Sequence, residues 1–107
     1  MFIEFTCKPS PTPEQVIEAL SSYVTEPQKL NLPSAPPSAI VVLDDVDRPQ
    51  PRLDINIGNG NSVVVGRVRP CSILDIKLTL LSHNTILGAA GSSILNAETA
   101  INKGLIN

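Results

Sequence analysis

One histidine and two cysteines are all the imidazole and thiol chemistry in this chain of 107 residues. A thiolate nucleophile needs a general base within reach, so Cys7 or Cys71 could act only with His83. Neither the thiols nor His83 has an evident orienting partner, and no catalytic residue is assigned. The single histidine and the lack of a Cys-x-x-Cys pair point away from a metal site. Asp44, Asp45 and Asp47 offer oxygens to a hard cation, but the remaining ligands of a calcium loop are missing at their offsets. They read as a solvated loop, with Asp47 paired to Arg48 or Arg52. Arg48, Arg52, Arg67 and Arg69 could hold an anion. Arg67 and Arg69, two apart on one expected strand, share a face, and surface or interface ion pairing is the simpler reading. Gly88-Ala89-Ala90-Gly91-Ser92-Ser93 has the small residues of a phosphate cradle, without the Gly-Lys-Ser/Thr ending or the Gly-x-Gly-x-x-Gly spacing. What remains is Asn84, where a strand ends and a helix begins, beside N–H groups that lack intrahelical partners. The plain alternative is that Asn84 or Thr85 caps the helix.

The elements around these residues follow from composition and pattern. Apolar residues make up 42% and charged residues 17%, with formal net charge −2, so the chain is neither a disordered tail nor a basic nucleic-acid binder. Its three aromatics, Phe2, Phe5 and Tyr23, offer no stacking platform. The longest apolar run, residues 39–43, is far too short for a membrane span. Met1-Phe2-Ile3 leads into Glu4 with no basic region and no long apolar stretch, which predicts a cytoplasmic, reducing compartment. Cys7 and Cys71 then read as small half-buried thiols.

Residues 2–6 read as a short strand, ended by Pro9 and Pro11. Thr12, Pro13 and Gln15 form a capping box with proline at N1. The helix they open runs to about Thr25, with Val16, Ala19, Leu20, Tyr23 and Val24 on its buried side. Residues 26–38, with four prolines, read as an extended connector. Residues 38–43 read as a central strand, because their apolar run is continuous. Asp44 to Asp54 is a long polar loop. Gly58-Asn59-Gly60-Asn61 marks a turn between two β-prone stretches. Strands follow over 62–69 and 73–82, the second alternating Leu74, Ile76, Leu78, Leu80 against Asp75, Lys77, Thr79. A last helix spans 86–103. Ile86, Ala90, Ile94, Ala97 and Ile101 share its main apolar face, Leu95 lies opposite, and Gly104 follows as the C′ residue. This order predicts an α+β domain with a mixed or antiparallel sheet and helices on one face.

Three stretches carry a resemblance. Residues 47–54 (Asp-Arg-Pro-Gln-Pro-Arg-Leu-Asp), 65–69 (Val-Gly-Arg-Val-Arg) and 81–91 (Leu-Ser-His-Asn-Thr-Ile-Leu-Gly-Ala-Ala-Gly) occur in this order. They resemble the C-terminal part of aspartate-semialdehyde dehydrogenases of the archaeal and fungal type. Residues 73–77, 95–98 and the 13–23 helix add to the likeness, which covers nearly the whole chain. The resemblance implies the C-terminal fold of semialdehyde and glyceraldehyde-phosphate dehydrogenases, as one dimerisation and substrate domain over 1–107. It implies a family reaction in which NADPH reduces aspartyl-4-phosphate to aspartate semialdehyde, through a cysteine thioester with histidine as acid/base. Those groups and the Rossmann domain would lie upstream. Cys7, Cys71 and His83 match none of them. Asn84 matches the family's asparagine beside the nicotinamide carboxamide. The implied partners are a second copy or the missing Rossmann domain, with no nucleic acid, membrane or metal, and no tight NADP binding or turnover by this chain alone. Ile55-Asn56-Ile57 departs from the family, which usually carries charges there. The alternative reading is a stand-alone, non-catalytic dimerisation module. The related N-acetylglutamyl-phosphate reductases are disfavoured by residues 47–54.

Overall fold

The computed structural model describes residues 1–6 and 8–107. Cys7 lies outside the described residues. The element order is β1 (Phe2–Ile3), α1 (Pro13–Ser21), α2 (Glu26–Lys29), β2 (Ile40–Leu43), α3 (Pro51–Asp54), a 3-10 turn (Ile57–Gly60), β3 (Val63–Pro70), β4 (Ile76–Leu81), a π-turn (Ile86–Ala90) and α4 (Gly91–Asn102). The four strands form one mixed sheet in the order β1-β4-β3-β2. β3 pairs antiparallel with β4, β4 antiparallel with β1, and β2 parallel with β3.

Register fixes which residues share a face, because side chains alternate along a strand. Ile40 pairs with Val63, Val42 with Val65, and Val65 with Leu80. These residues, with Leu78 and Ile76, form one face. Val41, Val64 and Leu81 belong to the other. α1 packs on β2 and β3, and its Ile17 shares a cleft with Val42 of the first face. The core is Val16, Val64, Val65, Ile76 and Leu78, joined by Leu32 and Leu95 from the periphery. The α+β class with a mixed sheet is as expected.

α1 begins as its sequence dictates. Thr12 Oγ1 accepts from Gln15 N at 3.2 Å, and Gln15 Oε1 accepts from Thr12 N at 2.9 Å. Several boundaries differ from expectation. α1 stops at Ser21, whose successor Ser22 turns its hydroxyl back to Glu18 O at 2.8 Å. Tyr23 and Val24 therefore fall beyond the helix and are 57% and 51% exposed, not buried. The 26–38 connector is not wholly extended. Pro27 sits in the first turn of α2, where its missing N–H removes no bond. β1 shrinks to two residues at the sheet edge. β2 is an edge strand rather than a central one. Its continuous apolar run reflects parallel pairing and partial cover on both faces, since all four residues are half-buried. The 44–54 loop ends in the helical turn α3. Residues 54–57 are not β, so the Gly58–Asn61 segment is no hairpin turn: Gly58, Asn59 and Gly60 all hold positive φ, at 63°, 55° and 79°. β3 continues through Pro70, which pairs with Ile76 at its end.

The last helix shows the largest difference. Residues 86–90 form a wider π-turn, and α4 proper starts at Gly91. Leu95 is the buried residue, 8% exposed, while Ile94 and Ile101 are 52% and 56% exposed. The larger apolar face points away from the domain. α4 is instead held by Leu95, by Glu98 accepting from Ser34 N and Oγ at 3.1 and 2.7 Å, and by Lys103 paired with Glu26 at 2.9 Å. Gly104, at φ +70°, closes the helix, with Leu105 N donating to Ala100 O at 2.8 Å.

Candidate functional site

β4 delivers the chain to His83, Asn84 and Thr85, and there the helix begins one residue wide. Gly88 N donates to His83 O at 3.1 Å and Ala90 N to Thr85 O at 3.3 Å, both spanning five residues. Such π-turns recur at functional sites. Asn84 is exposed. Thr85 stands at the cap position without a side-chain cap bond. Its hydroxyl lies 3.3 Å from His83 Nδ1 instead. Of the two caps offered as the plain alternative, Asn84 or Thr85, capping by Thr85 is thus not seen.

The Asn84 amide lies over Gly88: a Cβ added there would stand 3.2 Å from Asn84 Oδ1. A primary amide carries both donors and an acceptor, the complement of another carboxamide. Residues 84–93 carry no charge, so this turn offers an amide contact and not a counter-ion for phosphate.

The floor of the turn comes from a segment that the sequence marks only as a turn. Gly60 is buried beneath Ile86 and His83. Asn61 packs its amide against Gly91, also buried, and Asn61 Oδ1 is buried with no hydrogen-bond partner among the described residues. Left-handed glycine signals were legible here. Their contact with residues 83–91 was not.

The other candidates do not converge on Asn84. Cys71 opens the connection between β3 and β4, where Leu74 N donates to its Sγ at 3.5 Å. That N–H, followed by the one of Ile73, lowers the thiol below its usual range. Cys71 precedes β4 and His83 follows it, so roughly 20 Å of strand separates them. The pairing of thiol and imidazole is absent for Cys71. Among the described residues no group of three His, Cys, Asp or Glu gathers as metal ligands would.

Arg48 does not pair with Asp47. Its guanidinium grips Asp54, Nε donating to Oδ2 at 2.8 Å and Nη2 to Oδ1. Asp47 accepts from Gln50 Nε2 at 3.0 Å. Arg67 and Arg69 make no ion pair among the described residues. A β-bulge between Gly66 and Arg69, with Arg67 at φ +55°, breaks the alternation expected of them. Both line an open cleft of about 390 Å³ with Asp44 and Asp45, and Arg69 Nη1 donates to Arg67 O at 2.6 Å. The nearby carboxylates make it a poor site for an anion.

Known proteins share this chain's sequence and fold. The family model described as semialdehyde dehydrogenase, dimerisation domain, matches residues 1–87. An aspartate-semialdehyde dehydrogenase of Schizosaccharomyces pombe is 62% identical over 101 residues, covering 92% of the chain and 28% of that protein. One from Aspergillus fumigatus is 54% identical over 107 residues, covering 97% and 30%. The crystal structure of aspartate semialdehyde dehydrogenase with NADP from Candida albicans matches with a TM-score of 0.86 and 48% identity, over 96% of this chain and 29% of that one. The chain thus spans less than a third of the length of the relatives it matches.

Proposed function

The chain belongs to the semialdehyde dehydrogenase dimerisation-domain family, and on that premise we propose that it is the assembly part of an NADP-dependent aspartate-semialdehyde dehydrogenase. In this reading it pairs with a second copy and with a Rossmann domain that supplies the nucleophile, the acid/base and the phosphate contacts. The whole protein reduces aspartyl-4-phosphate to aspartate semialdehyde with NADPH in the cytoplasm. No helix among the described residues is long and apolar enough to cross a membrane.

The observation that carries the reading is surface left without a partner. The accessible surface is 6937 Å², against about 5,800 Å² for a compact monomer of this mass. The radius of gyration is 15.6 Å, against about 13 Å for a compact domain of this length. Phe2 at the sheet edge is 66% exposed, and the outer face of α4 presents Ile94 and Ile101. A domain that folds around its neighbours has this profile.

Asn84 is the one cofactor contact proposed on this chain. Its exposed amide, over a residue without a side chain, fits the carboxamide of a nicotinamide. NADPH supplies the hydride when bound. Asn84 orients the ring by that amide contact, and the uncharged turn leaves the phosphates to other residues.

The test uses a graft of residues 1–107 in place of the matching segment of the Schizosaccharomyces pombe enzyme. The graft is expected to reduce NADP with aspartate semialdehyde and phosphate, and the chain alone is expected not to. Turnover by the chain alone, or a folded graft without turnover, overturns the reading. In the second case the chain is a non-catalytic interaction module.

A further inference from the structure

We propose that Gly60, with Asn61 beside it, is a positioning residue for Asn84, holding the π-turn at the height from which the Asn84 amide meets its ligand. The inference rests on the cofactor reading of Asn84 given above. Gly60 has φ +79°, and a Cβ there would stand 2.9 Å from Ile86 Cδ1 and 3.2 Å from both Ile86 Cβ and His83 Cδ2. These two residues bracket Asn84 in sequence. One turn on, a Cβ on Gly91 would collide with Asn61 Oδ1 and stand 2.9 Å from Ile86 O. The Gly58–Asn61 segment thus touches the π-turn at both of its ends, through two buried positions without a side chain. Close packing of this kind transmits a displacement rather than absorbing it. Ile86 Cδ1 can swing aside from a methyl at position 60, but Ile86 Cβ and the His83 ring must each give by a few tenths of an ångström, a shift delivered on both sides of Asn84.

Asn59 provides the control. It has φ +55° in the same segment but is exposed. A side-chain change there alters the turn without meeting the residues around Asn84. Ile86→Val provides the rescue, because it deletes the Cδ1 atom that a Gly60 methyl would meet first.

The experiment uses the graft with four changes: Gly60→Ala, Asn59→Ala, Ile86→Val, and Gly60→Ala with Ile86→Val. Three quantities are read: NADPH affinity by fluorescence titration, hydrogen exchange of the peptide covering residues 83–91, and Tm. Gly60→Ala is expected to weaken NADPH binding by roughly tenfold or more and to raise exchange across 83–91. Asn59→Ala is expected to change affinity by less than about twofold, since exposed substitutions without buried partners act weakly. The double variant recovers part of the affinity lost by Gly60→Ala. Equal losses in Gly60→Ala and Asn59→Ala that track Tm would overturn the proposal, as would unchanged exchange or unchanged affinity in Gly60→Ala. A folded graft that binds no NADPH before any substitution overturns the cofactor reading itself, and this proposal with it.

Discussion

Arg48 and Asp54, six residues apart, close the loop after β2 with a two-pronged ion pair, and Asp54 is fully buried beneath it. Gln50 N adds a third bond to Asp54 Oδ2 at 2.6 Å. The closed loop then lies on β3 at Gly66, where a Cβ would collide with Arg48 O and stand 2.8 Å from Pro49 Cδ. The Asp-Arg-Pro-Gln-Pro-Arg-Leu-Asp run therefore works as a latch: its first arginine and last aspartate pair, and the backbone between them seats on the sheet.

The latch has a pH signature. The Arg48 guanidinium, then the Gln50 N–H, lower the Asp54 carboxyl from 3.8 to about 2 against the cost of burial. A depressed carboxylate contributes stability that is fully present above 3.8 and is lost as pH falls through about 2. Carboxyl NMR of Asp54 should show it ionised at pH 3, and Arg48→Gln should bring its titration up into the ordinary range. Asp54→Asn should lower Tm by on the order of 10 °C at pH 7, because Arg48 loses its buried partner.

Gly66→Ala should unseat the same loop from the sheet. The colliding atoms are backbone and a proline ring, which cannot swing aside. A loss of about 2 kcal/mol or more in urea unfolding is expected. Asp54→Asn and Gly66→Ala should be strongly non-additive, since both open one latch.

The two sides of α4 should respond oppositely to truncation. Leu95→Ala removes a buried side chain and should cost about 3 kcal/mol of stability. Ile94→Ala, on the exposed side, should cost less than about 0.5 kcal/mol in the isolated chain. In the graft, Ile94→Ala should become destabilising, as the proposed packing of a Rossmann domain on that face requires. Paired thermal melts of chain and graft check this.

Asn84→Ala in the graft should weaken NADPH binding by roughly tenfold, the worth of one good hydrogen bond. The variant should keep the Tm of the parent, since Asn84 is exposed and its side chain makes no hydrogen bond among the described residues. Fluorescence titration of both proteins is the check.

What could be read from the sequence was local. Thr12, Pro13 and Gln15 specify a helix start through bonds three residues apart, and Gly104 specifies an end through its own φ. The β4 alternation was legible because Ile76 and Leu78 see one core. What could not be read depended on neighbours distant along the chain. The richer face of the last helix looked like the buried one, yet Leu95 is the side chain that packs on the domain while Ile94 and Ile101 stay exposed. The apolar run of β2 looked central, although an edge strand in a parallel pair can carry the same run. Asp47 was the nearest carboxylate to Arg48 in sequence, yet the helical turn α3 brings Asp54 back to it. Gly60 and Asn61 signalled a turn, and only the fold shows that the turn supports His83 to Gly91.

The central claim is that this chain is the part of the enzyme through which two copies assemble. The most direct test is the mass of the graft by light scattering over a dilution series, beside a version carrying charged substitutions at the exposed apolar residues Phe2 and Ile73. The account predicts a dimer for the graft and a folded, NADPH-binding monomer for the substituted version. A graft that is folded, binds NADPH and stays monomeric at all concentrations would contradict it.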